Sequence, residues 1–191
     1  MMRHFNWPHI LSLPLAALLF LHGATAAAEL APERSVKAAF LSRFIGFAEF
    51  PGTGGAPASG PITIGVYGAD DVAAELSRVV SGKLLNQRPI LVRNLGPREE
   101  LSGLHMLFIG GDLDDHAEHM LAAAAKQGIL TVTEVDGGLR SGSVINFRLV
   151  DERVRFEVSR EAAQRSRIVL SSRLLSVAYA VLNIPTGRAW P

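Results

Sequence analysis

The residues whose types and spacing could do chemistry gather between Asp112 and His119. Asp112, Asp114, Asp115, His116, Glu118 and His119 put carboxylates and imidazoles close together in the chain. On a helix Asp115, Glu118 and His119 share one face, and His116 and His119 stand three apart, a spacing that can offer two ligands to zinc. Downstream of the N-terminal segment the one other histidine is His105, which falls in an apolar run and reads as a satisfied core residue. Carboxylates at a helix start also serve the helix dipole. The cluster is therefore read as a helix entry, and no metal is expected. A metal-assisted hydrolase built on Asp112, His116 and His119 is the enzyme version of the same residues.

Other candidate motifs fail on spacing. Gly65-Val66-Tyr67-Gly68-Ala69-Asp70 stands where a dinucleotide loop would, but it lacks the third glycine and opens on Asp70-Asp71, which repel a pyrophosphate. Ser81-Gly82-Lys83 has no glycine five positions earlier, and Leu84 stands where a phosphate loop needs Ser or Thr. The chain has no G-x-S-x-G elbow and no cysteine. The carboxylate pairs Glu99-Glu100, Asp114-Asp115 and Asp151-Glu152 fall at turns or helix starts. No catalytic or cofactor-binding residue is assigned, and the chain is not expected to be an enzyme.

The elements that would position these residues alternate. Val36, Phe40, Phe44 and Phe47 form one stripe of a helix predicted over Glu33–Phe50, which Pro51 stops. The stripe reads first as a core face and second as part of a partner groove. A loop of Gly, Pro, Ala and Ser follows from Gly52 to Pro61. Strands are predicted at Ile62–Tyr67, Pro89–Asn94, His105–Ile109 and Ile129–Thr133. Helices are predicted from Asp70 or Asp71 to Val80 and from Leu113 to Gln127, closed by Gly128. Strands alternating with helices imply a parallel sheet covered on both faces. Ile145, Phe147 and Leu149, then Val154, Phe156 and Val158, alternate with polar residues about Asp151-Glu152. They predict an antiparallel hairpin at the sheet edge, with one buried and one wet face. The turn is read as two residues long, with a loop one residue longer as its alternative because Asp-Glu is a poor primed-turn pair. A basic turn over Glu161–Arg167 and a helix over Arg173–Leu182, capped by Ser171 or Ser172, complete the domain. The fold class is a single-domain α/β protein.

The chain has 191 residues, 48% hydrophobic and 19% charged, enough for one core. Arg3 is the sole charged side chain before Glu29; an apolar run from Ile10 to Leu21 and small residues from Gly23 to Ala28 follow it. This is the pattern of a secretory signal peptide over residues 1–28, cleaved after Ala26 or Ala28. The domain is then 29–184, and 185–191 form a C-terminal tail. Cleavage removes one of the 19 Lys and Arg residues and none of the 18 Asp and Glu residues, so the mature chain is neutral. Neutrality argues against nucleic-acid binding. No later run is long and apolar enough to enter a membrane. An exported chain without cysteine depends on its core for stability, and the bacterial periplasm is the expected setting.

Taken in order, a set of stretches resembles the YfiR-like periplasmic proteins. They are Val36-Lys37-Ala38-Ala39-Phe40 with Phe44, Phe47 and Phe50-Pro51; Ile62-Thr63-Ile64-Gly65-Val66-Tyr67-Gly68; His105-Met106-Leu107-Phe108-Ile109; Ile129-Leu130-Thr131-Val132; Gly142-Ser143-Val144-Ile145-Asn146-Phe147; Val154-Arg155-Phe156-Glu157-Val158; and Ser171-Ser172-Arg173-Leu174-Leu175. The resemblance implies a repressor that binds the periplasmic sensor region of an inner-membrane diguanylate cyclase and lowers cyclic-di-GMP output. It also implies a homodimer and an outer-membrane lipoprotein that sequesters the repressor. Many such proteins carry a cysteine before the His-x-Leu-Phe-Ile strand. Leu104 stands there in this chain, so disulfide tuning is absent. The expected partner surface is the polar hairpin face and the helix beyond it: Arg148, Arg155, Glu157, Arg160 and Arg173, with Phe47 as an apolar anchor. The alternative is a periplasmic small-molecule sensor using the strand ends at Gly68-Ala69-Asp70 and Gly110-Gly111-Asp112.

Overall fold

A computed structural model describes residues 32–50 and 60–184, all within one compact unit. The expected signal peptide, most of the Gly/Pro/Ala/Ser loop and the tail lie outside the described residues.

The first expected helix is three elements. Helix α1 spans Glu33–Phe44, a 3₁₀ turn follows at Ile45–Phe47, and strand β1 takes Ala48–Glu49. Strand β1 pairs antiparallel with β9 (Val169–Leu170). That non-local pairing outweighs the helical periodicity, and Gly46 weakens the helix just where it ends. The deepest residues of α1 are Ala38, Leu41 and Phe44. Val36, Phe40 and Phe47 are half-buried, so the aromatic stripe is covered on one side only.

The central sheet has eight strands: β2 (Ile62–Tyr67), β3 (Leu84–Leu85), β4 (Arg88–Asn94), β5 (Met106–Ile109), β6 (Leu130–Thr133), β7 (Ile145–Val150), β8 (Arg153–Ser159) and β10 (Ala180–Leu182). Their order is β10-β8-β7-β6-β5-β2-β4-β3. The five strands β4-β2-β5-β6-β7 are parallel and doubly wound. Helices α1 and α2 (Asp70–Val80) cover one face, and α3 (Asp115–Gln127) covers the other. The alternation within β5 shows the layering: Met106 and Phe108 join the α1/α2 core, Leu107 and Ile109 the α3 core.

The hairpin is as its alternation demands, with three refinements. Val150 pairs with Arg153, so the turn is two residues long and not longer. Asp151 and Glu152 both take positive φ, 48° and 58°, as a type I′ turn requires. The wet face is incomplete. Asn146 is buried and its Oδ1 accepts from Thr133 Oγ1 at 2.7 Å and Val135 N at 3.2 Å. The outermost strand is β10, parallel to β8, so the hairpin lies one strand inside that edge.

Helix ends follow their caps. Asp114 Oδ1 accepts from Ala117 N at 2.7 Å, which starts α3 two residues later than expected, and Gly128 ends it at φ 71°. Ser159, not singled out in the sequence, caps α4 (Arg160–Arg165). Ser171 caps α5, which runs only from Ser172 to Val177. The chain turns extended at Ala178 and enters β10, because sheet pairing claims residues that helical spacing had assigned to α5.

Candidate docking site

Beside the uncovered half of the α1 stripe lies an open groove of about 670 Å³. Four parts of the chain build it. Helix α1 supplies Phe40 and Phe44 one turn apart, and the tighter 3₁₀ turn swings Phe47 in beside them. Strand β8 gives Phe156, β3 gives Leu85, and α5 gives Leu174 and Val177. The floor is aromatic. Phe44 and Phe156 meet edge-on with centroids 4.9 Å apart, and Phe40 meets Phe156 at 5.5 Å. Phe147 stacks on Phe44 from the hairpin at 5.7 Å. The wall is pinned by Ser171 N donating to the Phe47 carbonyl at 2.9 Å, which ties the α5 cap to the 3₁₀ turn.

The groove's lip is wet and cationic. Val177 is 68% exposed on the α5 side. Arg43 and Arg173 are exposed and line the opening, while among the described residues no carboxylate lines it. An apolar floor under a positive rim suits an apolar side chain flanked by carboxylates.

The residues expected to form the partner surface fall on two faces. Phe47 and Arg173 both line the groove. Arg148, Arg155 and Glu157 lie on the other face of the sheet, since the groove's Phe156 points the opposite way along β8. There Arg148 stands directly across from Arg155, a like-charge pair that destabilises a sheet unless an anion offsets it. Glu157 Oε2, 3.8 Å from Arg148 Nη1, is the offset the chain provides. Arg160 is exposed at the start of α4. The convergence of Phe47 with Phe40, Leu85, Phe156 and Val177 has no local signal, because the five come from four separate stretches.

The carboxyl ends of the strands hold a polar recess of about 700 Å³, including Lys37, Gly111, Asp112, Glu134 and Asp136. Its central charges are paired with each other. Lys37 Nζ meets Glu33 Oε1 at 2.5 Å and also Glu134 Oε2. Burial works to lower the Lys37 pKa, but hydrogen bonds to Glu134 and Glu33 outweigh it and the net shift is upward. Gly68 (φ 73°) and Gly110 let the two loops above β2 and β5 touch. A Cβ on Gly68 would come within 2.5 Å of the Gly110 carbonyl oxygen. Asp114 is drawn into fold contacts: besides its cap it accepts from Tyr67 Oη at 3.2 Å, and its carboxyl is held below the usual range, first by the Ala117 N–H. His119 Nδ1 bonds the Asp115 carbonyl at 2.5 Å. Among the described residues no three or more His, Cys, Asp or Glu side chains converge as a metal site would require. Leu104 is buried, with its methyls against Gly65.

The molecule is thus a doubly wound α/β domain that carries an open groove shaped for apolar contact. The YfiR/HmsC-like family matches residues 34–179, and the chain belongs to that family. The family is one of periplasmic regulatory proteins of cyclic-di-GMP signalling and is not enzymatic. Among solved structures, the chain is similar to a conserved domain protein from Vibrio cholerae O1 biovar El Tor strain N16961. The two share 9% identity with a TM-score of 0.54 over 78% of this chain, and the match spans 60% of that chain. At that identity the likeness is one of fold. No curated protein matches the chain. No helix among the described residues is long and apolar enough to cross a membrane.

Proposed function

We propose that this chain is a periplasmic repressor that docks on the periplasmic sensor region of an inner-membrane diguanylate cyclase and lowers cyclic-di-GMP output. The observation that carries this reading is the groove: an apolar floor left open beside buried aromatics, with Val177 mostly exposed at its lip. Family membership supplies the class of partner. The signal peptide over residues 1–28 would deliver the domain 29–184 to the compartment where that partner presents its sensor. The active form is a homodimer, and an outer-membrane lipoprotein relieves repression by sequestering it. The groove takes the partner's apolar anchor, with Arg43 and Arg173 pairing the carboxylates beside it. Deleting the gene should raise cyclic-di-GMP, and the tagged mature protein should retain the cyclase from solubilised inner membranes. Retention of no inner-membrane protein would contradict the reading.

The arginine face of the hairpin serves the same docking as a steering surface. The double reversal Arg148→Glu with Arg155→Glu, which turns two cations of this face into anions, is expected to slow association roughly tenfold at low salt. Its effect on final repression should be far smaller than that of a groove substitution. Stopped-flow association across a salt series checks this. An unchanged rate and salt slope would remove the hairpin face from the contact.

A further inference from the structure

His105 is 4% exposed at the entry to β5 and is held from three sides. From β2, the Thr63 N–H donates to its Nδ1 at 3.2 Å. From β4, Arg88 Nη2 faces its Nε2 at 3.0 Å. Phe50, just past β1, meets the ring edge-on at 5.8 Å. Arg88 also donates to the carbonyls of Gly60 at 2.6 Å and Pro61 at 3.2 Å, on the approach to β2. Among the described residues, Arg88 is the charged group that acts on the ring.

A neutral imidazole has one acceptor nitrogen and an imidazolium has none. Two N–H donors therefore converge on a ring that can satisfy one of them when neutral and neither when charged. Protonation would also set a second cation against the Arg88 guanidinium. Burial first, and the Arg88 charge second, hold the ring's pKa below its ordinary value. The ring's contribution to stability is thus complete above the ordinary histidine pKa of about 6.5. It is lost as pH falls below that value towards the folded-state pKa.

The ring is coupled to the groove by short steps. It braces Phe50; β1, just before Phe50, pairs with β9; Phe47, just before β1, lines the groove and accepts from Ser171 N. We propose that the His105–Arg88 contact is an acid-released clamp that sets the geometry of the docking groove, so that docking weakens as the surroundings acidify. The regulatory half of this proposal rests on reading the groove as the docking site; the clamp itself does not.

The test compares melting temperatures from about pH 7.5 to about pH 5 in the wild type and in His105→Gln, which keeps a donor and an acceptor but cannot titrate. The wild type should lose at least twice as much as the variant; equal losses would overturn the clamp. Should His105→Gln fail to fold, Arg88→Gln provides the second measurement. Without the guanidinium charge, the His105 ring should titrate at higher pH by NMR, and an unmoved midpoint would overturn the proposal. Site-resolved hydrogen exchange tests the link to the groove without any partner. After correction for the intrinsic pH dependence, the Ser171 amide should lose protection in acid in the wild type and keep it in His105→Gln. Equal behaviour in both proteins would cut the link between clamp and groove.

Discussion

Val177→Asp is expected to abolish repression while the protein accumulates and melts as the wild type does. Val177 is 68% exposed at the end of α5, so the substitution removes little packing in the free domain, and surface changes of this kind stay within about 0.5 kcal/mol of stability. In the complex the same position lies over an aromatic floor. A carboxylate there would be covered by the partner, would engage Arg173 one turn earlier on α5 in place of the partner's own carboxylate, and would cost about 3 kcal/mol or more, a loss of at least roughly a hundredfold in affinity. Cellular cyclic-di-GMP measured in a strain carrying the cyclase, alongside protein level and melting temperature, reads this directly. Full repression by a stable Val177→Asp protein would mean that the partner sits elsewhere. The companion change Arg173→Lys keeps the charge but loses the planar fork, and a smaller defect there would show that the rim recognises carboxylates bidentately.

Phe44→Ala is expected to be the most damaging single truncation in the core. Phe44 is 1% exposed and touches Phe40, Phe147 and Phe156, so it joins α1 to both strands of the hairpin. Loss of its ring removes buried area and leaves a cavity under the groove, at a cost of about 3–5 kcal/mol. For a domain of this size that corresponds to a fall in melting temperature of roughly 10 °C. Thermal unfolding followed by far-UV circular dichroism checks the figure. A fall of less than about 1 kcal/mol would mean that the aromatic cluster is loosely packed and the groove floor is not the rigid surface described. Because the same ring floors the groove, Phe44→Ala separates poorly between folding and docking, which is why Val177 is the better functional probe.

Much of the architecture was written in the sequence wherever burial is two-sided or alternating. Met106–Ile109 and Ile62–Tyr67 declare themselves by apolar runs bounded by turn residues, and the hairpin by alternation of Phe147 and Phe156 with Arg148 and Arg155. The Ser171 cap and the Gly128 stop were legible because each depends on one residue's own chemistry. The short strands β1, β9 and β10 were not. Two or three residues carry no period, and their pairing depends on partners about 120 residues away for β1 and over 20 for β10. The same reason ended α1 early and shortened α5. The turn at Asp151-Glu152 was legible as a two-residue turn, but its primed form was not, because Glu152 is not a usual occupant of positive φ and the tight register of six flanking pairs imposes it.

The groove was only half legible. The aromatic stripe of α1 raised it, and Phe47 and Arg173 were each named from sequence. Their meeting with Leu85, Phe156 and Val177 depends on how α5 folds back over the 3₁₀ turn. The charged hairpin face was legible as a face, yet nothing local shows that it points away from Phe47. His105 read correctly as a core histidine; its Arg88 neighbour, seventeen residues earlier and on another strand, had no sequence signal.

The most direct measurement is calorimetric titration of the mature protein with the isolated periplasmic region of the candidate cyclase, in wild-type and Val177→Asp forms. Saturable binding by the wild type, with a negative heat-capacity change from apolar burial and at least about a hundredfold weakening in Val177→Asp, is the expected result. No binding between two folded proteins, or equal affinity of both forms, would contradict a repressor that docks through this groove.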